Sequence, residues 1–417
     1  MPRSRQLTHD FGAIPLPSSR LGWSAVIAGG IARQAWSRTL GRRWRGSSTD
    51  PQTVEAARAS GCMAHCYFFR GDSLGLMGAA LSAVNLAEAA GTGVAIAEFY
   101  AQLGYIAGLA RLRSVANAYF ATSRDIARAS RDPIGMVRAL YCEAAFEIGI
   151  AAWHPARTAV TTGLAIAREL RNTQEAEDAH TIIGYIDFAT GDYAASRHQA
   201  QLLYESARAR ANTQHEAWGV YNQARAEFFL GNLDAALRGF ERVIAMLDRH
   251  PDHATRVMVH SMLSSALVCA GAYARARTAA DEATRLIGAR QPTSFTLTEG
   301  FVGPADTYLE LARRGDRDAL RAARVAVNNL ARLSRVFPIA APAASTLAGI
   351  YRLRAGRPRR AVPLLQRGLA LAERLAMPYD QAVAHRGLAE VIGGDHGARA
   401  RQLFTQLGCR WHLDAMR

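Results

Sequence analysis

The chain has 417 residues, 49 % of them apolar and dominated by Ala and Leu, which is enough for a large helical core. All 50 basic residues are Arg and none is Lys, which excludes a P-loop Lys on a nucleotide phosphate and a Schiff-base Lys. The same bias reads as GC-rich coding, so the formal charge of +15 is discounted as a sign of an anionic partner.

In chain order, residues 1–50 read as a lead-in, a basic amphipathic helix and a linker. Pro2, Gly12, Pro15, Pro17 and Ser18-Ser19 mark a poorly ordered start. Over residues 20–45, Trp23, Ile27, Ile31 and Trp36 mix with Arg33, Arg38, Arg42, Arg43 and Arg45. Such a helix can lie on an anionic membrane surface. Packing on the first repeat is the simpler reading, because Gly29-Gly30 weakens a free-standing helix. Asp50 and Pro51 then form a helix start, as cap and first residue.

From residue 51 to 417 the pattern is helix, turn, helix, turn. Gly231-Asn-Leu-Asp-Ala-Ala marks a turn and helix start, with Asn232 and Asp234 as capping oxygens. Similar text stands at Gly191-Asp-Tyr-Ala and Gly271-Ala-Tyr-Ala, with weaker copies at Gly71, Gly315 and Gly356. A second punctuation series runs through Pro133, Asn172, Asn212, Pro251, Pro292, Pro338 and Pro378. Both share a period of about forty residues, the mark of a repeat array.

About nine hairpins are expected. Their helices fall at roughly 52–69 and 74–90, 94–110 and 113–130, 134–151 and 155–171, 175–190 and 193–210, and 214–230 and 233–249. The rest fall at roughly 254–270 and 273–288, 296–313 and 317–333, 339–355 and 359–376, and 379–392 and 396–407. Seven residues before each turn stands a small residue: Ala64, Gly104, Ala145, Gly184, Ala224, Ser264 and Gly349, with Tyr308 the exception. Small side chains at that point let paired helices approach closely, as in tetratricopeptide (TPR) repeats, which the sequence resembles. The fold class is therefore all-α, a TPR-like α-α superhelix or solenoid whose first helices line the concave face. Tyr105, Glu147, Tyr185 and Arg225, with Glu143 and Tyr221 a turn away, are the candidate partner-binding residues on that face.

Signatures of catalysis are weak or missing. Ser294-Phe-Thr-Leu-Thr-Glu-Gly-Phe superficially resembles a metal-binding motif of nucleotide cyclases, but it lacks the Asp that would hold a metal ion. No zinc-protease, Ser-hydrolase or dinucleotide-binding motif occurs. Cys62, His65 and Cys66 share a helical turn, yet core packing is the expected role of the two thiols. Cys142, Cys269 and Cys409 complete an odd, scattered set that reads as reduced and cytoplasmic. Carboxylate pairs such as Glu175 with Glu177 and Asp306 with Glu310 read as solvated helix faces, and His250 and His253 as polar loop residues. The arginines of 313–324 and 352–360 read the same way. No cofactor, metal or specific nucleic acid is expected.

Residues 291–417 carry a further pattern. Pro292-Thr-Ser-Phe-Thr-Leu-Thr-Glu-Gly-Phe, Tyr308-Leu-Glu-Leu, Arg335-Val-Phe-Pro-Ile, Gly356-Arg-Pro-Arg-Arg-Ala, Ala372-Glu-Arg-Leu-Ala-Met-Pro-Tyr and Leu403-Phe-Thr-Gln-Leu-Gly stand in that order. This resembles the C-terminal helical-repeat region of bacterial signalling proteins. Those proteins join a class III adenylate or guanylate cyclase, or a kinase, to an AAA ATPase and then to TPR-like repeats. The resemblance covers only the non-catalytic arm. It implies a regulatory scaffold that meets a cyclase, kinase or AAA ATPase partner. The alternative is a ligand- or peptide-sensing solenoid of a transcriptional regulator.

Overall fold

The computed structural model describes residues 17, 19–39, 51–90, 96–248, 252–288, 290–414 and 416. The lead-in apart from Pro17 and Ser19, the Asp50 cap, the linker arginines and His250 lie outside the described residues. Helix α1 is Arg20–Thr39. Nine hairpins follow among the described residues, with Pro51 opening the first as expected. They are α2 (Pro51–Phe69) with α3 (Ser73–Ala90), α4 (Ile96–Leu109) with α5 (Arg113–Ala129), and α6 (Pro133–Gly149) with α7 (Trp153–Glu169). Next come α8 (Thr173–Ala189) with α9 (Tyr193–Ala209), α10 (Thr213–Phe229) with α11 (Leu233–Leu247), and α12 (His253–Cys269) with α13 (Tyr273–Ile287). The last are α14 (Leu297–Arg313) with α15 (Arg317–Val336), α16 (Ala341–Arg354) with α17 (Pro358–Arg374), and α18 (Pro378–Ile392) with α19 (His396–Leu407). A short α20 (Arg410–Asp414) ends the chain. The architecture is an all-helical, TPR-like solenoid.

The turns share one geometry. From residue 111 to 231, every twentieth residue has a positive φ: Arg111, Arg131, Ala151, Arg171, Gly191, Ala211 and Gly231. At Gly231 the amide bonds back to Phe228 O at 3.1 Å, and Asn232 N bonds to Glu227 O at 2.8 Å. This is the doubly bonded helix end in which a left-handed residue satisfies the last carbonyls. Side-chain caps follow at Asn172, Asp192, Asn212, Asp252 and Asp316. Asn232 departs from expectation: it accepts no capping bond, and its amide donates to Glu227 instead.

The two helices of a hairpin bury different patterns. Second helices are one-sided, as in α11, where Ala236, Phe240, Val243 and Leu247 form a single stripe. First helices are buried nearly all round, as in α12, where Thr255 through Leu267 contribute ten buried side chains. The small-residue column does set the approach within hairpins. A Cβ added at Gly239 would lie 2.5 Å from the Ala224 Cβ, and one at Gly349 would lie 2.7 Å from Leu365.

The chain divides into two compact units, Met1–Phe146 with Thr162–Leu170, and Glu147–Thr161 with Arg171–Arg417. In the first, α1 packs on α3. Trp23 is buried on Gly78, and Gln34 donates to Asn85 at 2.9 Å and to Glu88 at 3.1 Å. Leu21, Ile31 and Trp36 of the same helix are exposed. Helix Ser73–Ala90 is long and apolar enough to cross a membrane, but 61 % of its apolar window is buried inside the protein. Cys62 and Cys66 are exposed rather than packed in the core, because they lie on the outer side of α2.

In the second unit, successive first helices α8, α10, α12, α14, α16 and α18 touch one another, so they form its inner row. The end of the unit returns to its beginning. Trp153 Nε1 donates to Leu375 O at 2.7 Å, Tyr379 meets Phe229 with ring centroids 4.9 Å apart, and Trp411 stacks on Phe228 at 5.0 Å. The inner row therefore encloses an interior.

Candidate functional site

The inner row is shaped where α14 is irregular. Pro304 has no N–H, so the Gly300 carbonyl loses its helical donor. The Ser261 hydroxyl from α12 donates to that carbonyl. A Cβ at Gly303 would lie only 2.6 Å from Ser261 O, so glycine permits this approach. The preceding residue, Glu299, is thereby held on the inner side of the unit.

Around it the structure brings together three of the six expected site residues. Tyr185 comes from α8, and Tyr221 and Arg225 come from α10. The Arg225 guanidinium lies 3.9 Å over the Phe188 ring, 5.3 Å from Tyr185 and 5.7 Å from Tyr221. Arg225 is 1 % exposed. Its Nη1 stands 3.8 Å from Glu299 Oε2, close enough for charge attraction but too far for a hydrogen bond. Arg225 Nε, Glu299 Oε2 and Tyr221 Oη are buried and have no hydrogen-bond partner among the described residues. Tyr185 packs edge-on against Phe295, with centroids 4.8 Å apart.

Burial governs the ionisation here. It pushes the Glu299 carboxyl up against the opposing pull of Arg225. It also raises the Tyr185 and Tyr221 hydroxyls, so both stay protonated donors. Asp380, from α18, is pushed up to about 7 by burial and then by Glu299. Asp380 is only half-buried by area, and the Glu299 side chain is 12 % exposed.

Further along the interior, Asp306 is also half-buried, and its carboxyl is raised by burial. Arg386 donates to His412 Nδ1 at 2.9 Å, which places the imidazole proton on Nε2, 2.8 Å from the Tyr379 hydroxyl. Burial holds His412 well below its usual range, so it is neutral.

The other three expected residues are not part of this cluster. Tyr105 and Glu143 belong to the first unit, where Glu143 pairs with Arg124 of α5. Glu147 is half-buried at the end of α6, and its carbonyl closes the next turn. Phe188, Glu299 and Asp380 went unrecognised in the sequence. Phe188 follows Tyr185 by one turn, and Glu299 sits inside the cyclase-like motif, so their spacing carried a usable signal.

Several surface expectations change. Glu175 and Glu177 are buried at 4 % and 0 % exposure, not solvated. Glu177 accepts from Arg210 at 3.0 and 3.1 Å, from Ser206 at 2.7 Å and contacts His215 Nδ1 at 2.8 Å. Asp306 faces the interior, again because α14 belongs to the inner row. His253 opens α12 half-buried, and burial lowers its pKa to about 4. Among the late arginines, Arg313 and Arg314 pair with Glu310, Arg321 with Asp318, and Arg354 with Glu390. No group of three potential metal ligands occurs among the described residues.

Comparison with protein-family models and with curated proteins returns no match. Solved structures do match. A Rap protein complexed with competence and sporulation factor has a TM-score of 0.62 at 8 % identity, covering 87 % of this chain and 100 % of that one. NprR in complex with its cognate peptide NprX has a TM-score of 0.55 at 10 % identity, covering 85 % and 98 %. The Rap conjugation gene regulator of plasmid pLS20, in complex with the Phr* peptide, has a TM-score of 0.55 at 12 % identity, covering 84 % and 96 %. At such identities the likeness establishes the fold.

Proposed function

We propose that the chain is a non-catalytic, peptide-recognising regulatory module whose ligand enters the interior of the second unit. The observation that carries this reading is the set of buried polar atoms without partners on the inner row: Arg225 Nε, Tyr221 Oη and Glu299 Oε2. A buried polar group left unbonded costs roughly 1–3 kcal/mol, and a bound peptide would supply the missing bonds. Two of the similar solved structures named above, those of NprR and of the pLS20 regulator, are peptide complexes, which supports the same reading. Selection from a random peptide library on the immobilised chain tests it. Enrichment of a sequence that binds with micromolar Kd or better by calorimetry is the expected result. Absence of any enriched binder would overturn it.

The identity of the protein partner is a further part of the proposal. The resemblance of residues 291–417 to the arm of cyclase–ATPase proteins supports a cyclase, kinase or AAA ATPase. Co-purification from native lysate tests that pairing. Membrane-surface contact through residues 20–45 rests on the exposed Leu21, Ile31 and Trp36. Flotation with anionic liposomes, with and without residues 1–50, tests it.

A further inference from the structure

Two buried carboxylates on helices of the inner row are treated in opposite ways. Glu177 on α8 has four polar neighbours within hydrogen-bond distance. Glu299 on α14 faces a guanidinium at 3.8 Å and leaves Oε2 unbonded. Arg225 is equally unfinished. Its flat face is occupied by the Phe188 ring, so a hydrogen-bonding group would meet only its edge. The Tyr221 hydroxyl completes the set.

These three groups specify a chemistry. Two donors, Arg225 Nε–H and Tyr221 O–H, and one acceptor, Glu299 Oε2, lack partners in the same cluster. Only a ligand group with both an acceptor and a donor satisfies all three. The guanidinium and carboxylate already cancel in charge, so the group must be neutral. An added carboxylate would face Glu299, and an added ammonium would face Arg225, each in a region where an unbalanced charge is costly. The aromatic walls that would hold a cation are already taken by Arg225 itself.

We propose that Arg225, Tyr221 and Glu299 form an amide-binding subsite. The ligand's amide oxygen accepts from Arg225 and Tyr221, and its amide N–H donates to Glu299. The amide comes from the main chain of the peptide or from an Asn or Gln side chain. This inference rests on the peptide reading for its ligand class, but its chemistry is testable without any identified peptide.

The test is ligand-observed NMR on the full chain with four small probes. N-methylacetamide stands for a main-chain amide, propionamide for a side-chain amide, and propionate and propylammonium are the charged controls. At least one amide is expected to bind tenfold or more tightly than either ion, and the tighter amide identifies the source. Tyr221→Phe, which removes one hydroxyl and keeps the ring, should weaken amide binding at least threefold. Arg225→Met should weaken it at least tenfold, and Tyr221→Phe remains decisive if that variant does not fold. Ions binding as well as amides, amide affinity unchanged in Tyr221→Phe, or no amide binding at all would overturn the subsite. The outcomes separate the two ideas. Library peptides that bind wild type and Tyr221→Phe equally leave the peptide reading intact and sink the subsite. Amide binding without any library binder does the reverse.

Discussion

Replacing Arg225 by Met is the sharpest perturbation of the interior. Methionine keeps an apolar body against Phe188, so what is removed is chiefly charge. Removing one partner of a buried ion pair costs about 3–5 kcal/mol. Part of that is offset, because the guanidinium itself is buried with an unbonded Nε. A net loss of about 2 kcal/mol at pH 7.5 is expected. The pH dependence identifies the cause. Glu299 already has a raised folded-state pKa through burial, and Arg225 is what holds it down. Without Arg225 the pKa rises further. For a raised carboxyl, stability is fully present below the unfolded pKa and is lost as pH rises through the folded one. The deficit of the variant should therefore shrink to below about 1 kcal/mol near pH 4.5. Adding Glu299→Gln should recover at least about 1 kcal/mol at pH 7.5. Urea unfolding followed by circular dichroism measures both, and amide hydrogen exchange on α10 and α14 localises them. An equal deficit at both pH values, with Glu299→Gln adding its own loss, would show that Arg225 acts through packing alone.

Four further outcomes follow from the same geometry. Asp380, raised to about 7, should cost stability progressively between its unfolded pKa and pH 7. Asp380→Asn should then be more stable than wild type by about 1–2 kcal/mol at pH 8 and no different near pH 4, because water at the half-buried carboxyl tempers the full shift. Glu177→Ala strands Arg210 and the buried His215 and should cost about 3–5 kcal/mol in urea unfolding. Ser261→Ala leaves the Gly300 carbonyl without a donor beside Pro304 and should lower stability by about 1–2 kcal/mol, with faster exchange at the start of α14. Ala211→Gly relieves a left-handed residue at φ 54° and should raise the melting temperature, by about 0.5–1 kcal/mol of stability.

How much of this was legible depends on what each feature needs. The hairpin rhythm was readable because Gly191, Gly231 and Gly271 sit at turns that need positive φ, and Pro133 and Asn172 sit at helix starts. The halved, twenty-residue rhythm was not, because Arg111, Ala151 and Ala211 adopt the same geometry without a marker residue. Tyr185, Tyr221 and Arg225 were readable from register alone, since repeat spacing places equivalent positions on the inner row. Glu177 was misread because its burial depends on Arg210 and His215, which lie 33 and 38 residues away and arrive only through packing of neighbouring hairpins. Glu299 was seen only as part of a failed catalytic motif, since nothing local reveals that Pro304 and Ser261 fix the helix around it.

Glu177 and Glu299 also show why burial alone does not mark a site. Both are charged groups deep in one helical unit, and both are prepared by neighbouring helices. At Glu177 the neighbours finish the job: a forked Arg210, a hydroxyl and an imidazole meet the carboxylate, and no lone pair is left for a ligand. At Glu299 the neighbours stop short of Oε2: Tyr185 bonds the carboxyl, Arg225 stands 3.8 Å away and Tyr221 is turned in but unbonded. A charge held there by packing alone would be worse than an apolar pair of the same size. The fold nonetheless spends a prolyl break in α14, two glycines and Ser261 on holding Glu299 in place. On the proposed reading, that arrangement is completed when a ligand group donates to Glu299 Oε2 and accepts from Arg225.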